Sequence, residues 1–166
     1  MEGSVNMEIK VYKMKDEYYD SVKNIYQQAI DGKISTFQAK PLEWDSFNKS
    51  HLKECRLVAM DKDKVCGWVA LAPISIMDAL KGVAELSIYV DHDYLGKGVG
   101  TIIMQNLFEC AKENGIWSLQ SIILPENIRS LSLHRKCGFR QIGYREKVAQ
   151  MPDGMWKDVF LFEKRL

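Results

Sequence analysis

The sequence lacks any apolar run long enough to cross a membrane, and its charges nearly cancel. No hydrophobic stretch approaches the roughly 20 residues that a membrane-spanning helix needs. The 23 basic and 22 acidic residues leave a formal net charge of +1, and no long run of basic residues occurs. These absences argue against membrane and nucleic-acid partners, and we expect neither.

Cysteine and histidine are also scarce and scattered. The four cysteines (Cys55, Cys66, Cys110 and Cys137) form no Cys-x-x-Cys pair, and the three histidines lie far apart. This spacing fits no zinc site, so we expect no metal. Unpaired thiols are typical of a reducing compartment, which predicts a cytoplasmic protein. A nucleophilic cysteine is disfavoured because no catalytic motif surrounds any of the four.

The hydrophobic periodicity predicts a single α/β domain. The 166 residues suffice for one ordinary domain. Alternating and helical patterns follow one another in the order β-α-α-β-β-β-α-β-α-β-β, which predicts one mixed sheet covered by helices. We expect the folded domain to span residues 7–166 and residues 1–6 to form a disordered leader.

The most informative stretch, residues 85–111, predicts a strand, a glycine-rich turn and a helix. Glu85, Ser87 and Tyr89 alternate with apolar residues that share the opposite face of the strand. The turn spans residues 95–100 and contains three glycines. Glycines let an anion such as a diphosphate approach the free N–H groups that begin a helix. The turn could also serve only to pack the helix on the sheet.

Two familiar phosphate-binding motifs do not match this turn. A Walker loop requires Lys and Ser or Thr after its second glycine, whereas Val99 follows Gly98. A dinucleotide fingerprint would place its third glycine at Thr101, and this chain has it at Gly100.

The turn Leu95-Gly96-Lys97-Gly98-Val99-Gly100 resembles the acyl-CoA signature of the GNAT superfamily of N-acetyltransferases, Arg/Gln-x-x-Gly-x-Gly/Ala, from which Leu95 departs. Further stretches resemble the phosphinothricin acetyltransferase branch of that superfamily. They are Glu85-x-x-Ile88-Tyr89-Val90, Leu124-Pro125-Glu126-Asn127, Leu133-His134-Arg135-Lys136-Cys137-Gly138-Phe139 and Gly154-x-Trp156-x-Asp158-Val159.

This resemblance implies a fold and an activity. The fold is a single-domain GNAT-like mixed sheet, mostly antiparallel, with flanking helices. The Glu85 strand and the strand at 119–124 splay apart and admit the pantetheine arm of acetyl-CoA. The implied activity is transfer of the acetyl group, without a metal, to the primary amine of a small molecule, which could be amino-acid-like (phosphinothricin or methionine-derivative type).

Three alternatives stay open beside this activity. The chain could acetylate protein N-termini or lysines, it could be a non-catalytic acyl-CoA-binding module, or the turn could bind an anion other than CoA. Oligomeric state is also open, and a homodimer is one outcome.

Two residues are candidate catalytic groups by this resemblance. Acetyl transfer needs a neutral amine, so a base is useful at pH 7. Glu85 matches the branch's catalytic glutamate, although a strand-end glutamate is often only a surface charge. His134 matches a position that protonates the departing thiolate in relatives. Alternatively, His134 only packs or hydrogen-bonds near CoA.

The implied acetyl-CoA contacts come from three segments. They are Ile88, Tyr89 and Val90 in the strand, Leu95, Gly96, Lys97, Gly98, Val99, Gly100 and Thr101 at the turn, and Asn127, Ser130 and Lys136 in the next helix. Asn127 could instead cap that helix, or do both through different atoms. Lys136 could instead be an ordinary exposed lysine.

The implied acceptor contacts are Phe37, Met77, Glu85 and Tyr89. Packing explains Phe37 almost as well, and Tyr89 could fill core space. Met77 and Leu80 stand where close relatives often carry an arginine and a tyrosine. A guanidinium is the best partner for a carboxylate, so we expect a more apolar pocket that neutralises a carboxylate less well.

Overall fold

The computed structural model describes residues 7–166, so the leader predicted for residues 1–6 lies outside the described residues. Within that span the chain forms one open seven-stranded sheet in the order β1-β2-β3-β4-β5-β7-β6. The strands are β1 (Ile9–Lys13), β2 (Leu57–Asp61), β3 (Lys64–Pro73), β4 (Val83–Val90), β5 (Ser118–Ile123), β6 (Arg140–Gln150) and β7 (Trp156–Arg165).

Four α-helices in the described residues cover the sheet: α1 (Tyr19–Gly32), α2 (Trp44–Ser50), α3 (Val99–Glu113) and α4 (Ile128–Lys136). Together with the strands they follow the predicted order of elements. Residue 127 is the N-cap of α4, because the Asn127 side-chain oxygen accepts a hydrogen bond from the Ser130 N–H. Of the helices in residues 7–166, none is long and apolar enough to cross a bilayer.

The sheet separates two hydrophobic layers because side chains alternate along its strands. On one face, Val69 and Leu71 of β3 pack in a core with Ile103 and Leu107 of α3. On the other face, Trp68 of β3 packs in a second core with residues of α1 and α2. Glu85, Ser87 and Tyr89 belong to this second face, as their alternation predicted.

β4 and β5 pair in parallel, whereas the other strand pairs in residues 7–166 are antiparallel. Their pairing is short: Val83, Ala84 and Glu85 face Ser118, Leu119 and Gln120, and beyond this point the two strands separate. The predicted single-domain, mostly antiparallel sheet with a splayed central strand pair is therefore confirmed.

Candidate active site

Glu85 lies where β4 and β5 part. It is the last β4 residue paired with β5, opposite Gln120. The Gln120 Nε2 donates a hydrogen bond of 3.4 Å to the Glu85 Oε2. Burial raises the pKa of the half-buried Glu85 carboxyl, and the bond from Gln120 opposes part of that rise. A raised pKa makes a carboxylate a better proton acceptor near neutral pH.

A long cleft of about 540 Å³ opens between the separated strands. One wall is β4 from Glu85 to Val90, and the other is formed by residues 121–124 of β5 and its end together with α4. Because the strands no longer pair here, backbone groups on their facing edges are free to bind an extended ligand. Ile88, Tyr89, Val90, Leu95, Asn127 and Ser130, all predicted cofactor contacts, line this cleft.

The glycine-rich turn leads into the N-terminus of α3. Gly96 and Gly98 have positive φ angles of 73° and 83°, which other residues adopt only at a cost. The first helical hydrogen bond of α3 runs from the Ile102 N–H to the Gly98 carbonyl. The N–H groups of the next three residues (Val99, Gly100 and Thr101) are thus left without intrahelical partners. This geometry suits an anionic group such as a diphosphate.

Glycine is needed at position 100 for close packing, whereas at positions 96 and 98 it is needed for the backbone conformation. A Cβ built on Gly100 would lie 3.0 Å from a methyl carbon of Leu133. The absence of a side chain therefore lets α3 and α4 approach closely.

A second cavity, the aromatic pocket, holds about 250 Å³ on the α1 and α2 side of the sheet. Its aromatic walls are Tyr19, Tyr26, Phe47, Trp68 and Tyr89. Beside Glu85, on adjoining strands, the pocket is lined by Ala72 and Ser87, whose short side chains leave room in it. Within residues 7–166, Glu85 is the single carboxylate that lines both the aromatic pocket and the long cleft.

His134 is buried in the wall of the long cleft. Its Nδ1 donates to the Ser130 carbonyl at 2.7 Å, so its Nε2 accepts the Ser121 hydroxyl at 2.8 Å. Burial lowers the pKa of the imidazole, and the bond to the Ser130 carbonyl opposes part of that shift. The ring is therefore neutral at pH 7, with both nitrogens occupied.

Asn127 is bonded through one side-chain atom only. Its Oδ1 caps α4, and its amide nitrogen makes no hydrogen bond within residues 7–166, which leaves a donor beside the long cleft. Ser130 lies one turn along the same wall.

Tyr89 both packs in the core and lines the cavities, which are the two roles that the sequence left open. Its ring packs 5.1 Å from Trp68 and 5.0 Å from Tyr26, and it also lines both cavities. Its hydroxyl donates to the Ser35 carbonyl at 3.3 Å, and burial raises its pKa. Tyr89 thus ties the segment at residues 33–38 to β4. Phe37 in that segment lines the long cleft.

Eight predicted contacts line neither cavity: Gly96, Lys97, Gly98, Val99, Gly100 and Thr101 at the glycine-rich turn and the start of α3, and Met77 and Lys136 elsewhere. Met77 is 61% exposed in the segment between β3 and β4, and Lys136 is exposed near the end of α4. Neither lines the long cleft or the aromatic pocket. Their roles remain predictions.

Sequence reasoning missed the polar residues of the aromatic pocket. Lys23 on α1 lines it and forms an ion pair with Glu43 at 2.9 Å. His51 lines it as well, and burial lowers the pKa of His51. Arg129 was also missed and lines the long cleft. No motif surrounds these residues, and the one available signal was the position of Lys23 on α1, one turn before Tyr26.

One cluster of residues beside the cleft consists of types that can bind a metal ion. Asp91, His92 and Asp93 offer ligand atoms within 4.8 Å of one another. Both Asp91 oxygens already accept hydrogen bonds, from the Asp93 N–H and the Gln28 side chain, and the other two residues are exposed. This arrangement caps a turn.

The family model described as the acetyltransferase (GNAT) family matches residues 15–139. This match covers most of the chain, including β4, the glycine-rich turn and α4. The chain belongs to the GNAT acetyltransferase family. It is an N-acetyltransferase with acetyl-CoA as its cosubstrate and a small-molecule amine as its acceptor, as the resemblance implied.

Several relatives of this GNAT enzyme are named as acetyltransferases of phosphinothricin or of methionine derivatives. The Bacillus subtilis (strain 168) protein YwnH, named as a candidate phosphinothricin acetyltransferase, is 32% identical over 89% of this chain and 93% of its own. An L-methionine sulfoximine/L-methionine sulfone acetyltransferase of Pseudomonas aeruginosa (strain PAO1) is 32% identical over 86% of each chain.

The fold comparison agrees with the sequence comparison. The crystal structure of a candidate phosphinothricin N-acetyltransferase superposes with a TM-score of 0.84 at 28% identity, over 96% of this chain and 99% of that one. Neither the sequence relatives nor the structural match favours a protein acetyltransferase or a non-catalytic module.

Proposed function

We propose that the long cleft holds acetyl-CoA, that the aromatic pocket holds the amine, and that Glu85 is the general base between them. The position of Glu85 carries this proposal. Its carboxylate lines both cavities at the point where β4 and β5 separate. An acetyl group at the inner end of the cleft and an amine in the pocket would therefore meet beside it.

Acetyl-CoA supplies the thioester that is attacked. The unpaired amides of Val99, Gly100 and Thr101 hold its diphosphate, with the positive end of the α3 dipole behind them. The amide nitrogen of Asn127 donates to the pantetheine arm, which follows the free edge of β4. Each of these groups is a hydrogen-bond donor without a partner inside residues 7–166.

Glu85 removes the proton from the ammonium group, directly or through a water molecule, and the neutral nitrogen attacks the thioester carbonyl. The C–N bond forms as the C–S bond breaks, CoA leaves as a thiolate, and the second proton of the nitrogen passes to that thiolate or to water. A thiol has a pKa near 8.5, so departure does not require a charged acid. We assign His134 the role of positioning Ser121 in the cleft wall, because a neutral imidazole with both nitrogens bonded is not a ready proton donor.

The acceptor we propose is a small amino-acid-like primary amine of the phosphinothricin or methionine sulfoximine type. The names of two relatives and the small size of the aromatic pocket support this class over a protein chain. Lys23 is the one cation that lines the pocket within the described residues, so we infer that it faces the acceptor's carboxylate.

We also infer a homodimer in the cytoplasm. Large hydrophobic side chains are exposed on or beside the hairpin of β6 and β7, namely Ile142, Tyr144, Met155 and Trp156, and a second copy could cover them. Light scattering of the purified protein measures the oligomeric state, and fractionation of cells that produce it measures the location.

A panel of amines with isotope-labelled acetyl-CoA tests the proposed activity. We expect turnover with phosphinothricin, methionine sulfoximine and methionine sulfone, and little with peptides that offer a free N-terminus or a lysine. Faster acetylation of the peptides would overturn the proposed acceptor class.

A further inference from the structure

A histidine that the proposed mechanism does not use lines the aromatic pocket. His51 directly follows α2 and is half-buried. Its ring stacks on the buried ring of Phe47, with the ring centres 4.2 Å apart. His51, Phe47 and Glu85 all line this pocket. The pocket therefore contains an imidazole as well as the carboxylate of the proposed base.

The hydrogen bonds of His51 determine which of its ring nitrogens carries the proton. Its Nδ1 lies 3.1 Å from the Phe47 carbonyl, which can only accept a hydrogen bond. It also lies 3.0 Å from the Ser50 hydroxyl, which itself donates to the Ser46 carbonyl at 2.8 Å. Nδ1 is therefore the donor, and Nε2 carries a lone pair. Burial lowers the pKa of the imidazole, the bond to the Phe47 carbonyl opposes this shift, and the nearby Arg56 charge adds to it, so the ring is neutral at pH 7.

The Nε2 of His51 is free and accessible. The ring bonds of His51 within residues 7–166 are made through Nδ1. In the same span, the one side-chain nitrogen or oxygen that is both buried and unpartnered belongs to Trp68, so the unpartnered Nε2 of His51 is not buried. Of the two ring nitrogens, Nε2 is thus the one available to a molecule in the pocket.

The backbone beside β3 brings His51 close to the base. The N–H of Leu52 donates to the Leu71 carbonyl at 2.7 Å, and the next residue of β3, Ala72, pairs with Glu85. His51 and Glu85 thus flank the same part of β3 from opposite sides, with about 10 Å between their backbones, twice the spacing of neighbouring strands. Both residues line the pocket, and the side chain of Ala72 between them is a single methyl group. Two hydrogen bonds of about 2.9 Å through one small nitrogen group can bridge the side chains.

Arg56 holds the segment that carries His51. Its guanidinium is buried and donates to the carbonyls of Leu52, His51 and Asn48 at 2.6, 2.9 and 3.0 Å, and to the Asn48 side chain at 2.7 Å. A buried charge is costly unless it is well bonded, and these bonds all go to the end of α2 and the residues after it. The imidazole is therefore preorganised at the wall of the pocket.

We propose that the Nε2 of His51 accepts a hydrogen bond from the nitrogen of the acceptor amine, beside Glu85. A primary ammonium group has N–H groups for both residues: Glu85 removes one proton, and a second N–H stays bonded to His51. This bond holds the nitrogen while its new lone pair attacks the thioester. The inference rests on the proposed function, since it assumes that the aromatic pocket binds the amine.

Two substitutions of His51 separate hydrogen bonding from packing, with methionine sulfone as the acceptor. His51→Phe keeps a ring on Phe47 but has no nitrogen, and we expect kcat/KM to fall about 10- to 100-fold, the effect of losing one hydrogen bond to a charged group. His51→Gln places an amide oxygen near the position of Nε2 and should recover most of that loss. The Kd of acetyl-CoA should be the same in all three proteins, because His51 does not line the long cleft.

Equal losses in the two variants would show a packing role and overturn the proposal, as would no loss in His51→Phe. A second measurement does not depend on turnover. In protein with ¹⁵N-labelled histidine and bound CoA, methionine sulfone should shift the Nε2 resonance of His51, which His51→Phe identifies by its absence, and the analogue without the amine should not. Equal shifts with both compounds, or none with either, would contradict the proposed bond. If the wild type acetylates no amine, the proposed function fails, and this resonance alone then decides whether His51 binds an amine.

Discussion

Glu85→Gln keeps the size and hydrogen-bonding shape of the side chain but removes its basicity. A positioned general base contributes about 10²- to 10⁴-fold to a rate, so we expect kcat/KM at pH 7 to fall ~10²-fold or more. The affinity for acetyl-CoA should change little, because the diphosphate and pantetheine contacts that we propose come from other residues.

The pH dependence gives the sharper signature. Because burial raises the pKa of Glu85, wild-type kcat/KM should decline as the pH falls through that raised pKa and the carboxylate becomes protonated. The variant has no such group, and its rate should follow the fraction of free amine, rising about tenfold per pH unit while the ammonium form of the acceptor still predominates. The gap between the two proteins should therefore shrink as the pH rises.

The same group also affects folding stability. A carboxyl whose pKa is raised in the folded protein binds its proton more tightly there than in the unfolded chain, so the folded state loses stability as the pH rises through that pKa. Glu85→Gln should consequently unfold at a higher temperature than the wild type at pH 7, and the difference should vanish as the pH approaches 4.

Initial rates with labelled acetyl-CoA between pH 6 and 9.5, together with thermal unfolding at each pH, measure both effects. Glu109→Gln is a suitable control, because that carboxylate is 73% exposed on α3 and lines neither cavity. A Glu85→Gln variant that remains slower by the same factor at pH 9.5 would refute the assignment of Glu85 as the base and indicate a positioning role.

Four further substitutions test other parts of the site. Acetyl-CoA at ~100 times its dissociation constant should stabilise the wild type by about 2.7 kcal/mol, and Gly98→Val should remove most of that stabilisation. Gly115→Val is the control, because Gly115 has the similar φ of 74° at the far end of α3; it should weaken the fold but keep the stabilisation by acetyl-CoA. Equal ligand-induced shifts in the two variants would contradict the phosphate site. A histidine whose pKa is lowered in the folded protein stabilises the fold above its unfolded pKa of about 6.5 and loses that contribution as the pH falls. His134→Gln should therefore lose less stability than the wild type between pH 7 and 5. Denaturation midpoints that fall as steeply with pH as those of the wild type would be inconsistent with this. For Lys23→Met and Met77→Arg, the quantity to compare is the ratio of kcat/KM for a carboxylated amine to kcat/KM for its amide. Lys23→Met should lower this ratio, and an unchanged ratio would exclude Lys23 as the carboxylate partner. Met77→Arg should raise the ratio only if the segment between β3 and β4 reaches the acceptor.

The local part of the site was predictable from the sequence because short-range patterns determine it. Alternation around Glu85 gave the correct face of β4, and the glycines and helical spacing after Leu95 gave the turn and the start of α3. Family resemblance added the separation of β4 from β5. That feature depends on a pairing between Glu85 and Gln120, 35 residues apart, which no local pattern reveals.

The aromatic pocket was not predictable in the same way. Tyr19, Phe47 and Trp68 occupy ordinary apolar positions of two helices and a strand, and such positions normally indicate only core packing. The cavity between them exists because Ala72 and Ser87 are small where the elements meet. Counting back from Glu85 pointed to Met77 instead, which the structure places in an exposed segment away from both cavities.

The two cavities meet along Tyr26, Gln38, Glu85, Ser87 and Tyr89, but the far wall of each comes from a different part of the chain. Residues that line only the aromatic pocket lie between positions 19 and 72, whereas β5 and α4, which close the far side of the long cleft, lie between positions 118 and 136. Selection can therefore alter the first region without disturbing the machinery in the second. A lineage could exchange one amine for another through a few substitutions in α1, α2 and β3, and gene duplicates of such an enzyme should diverge fastest there.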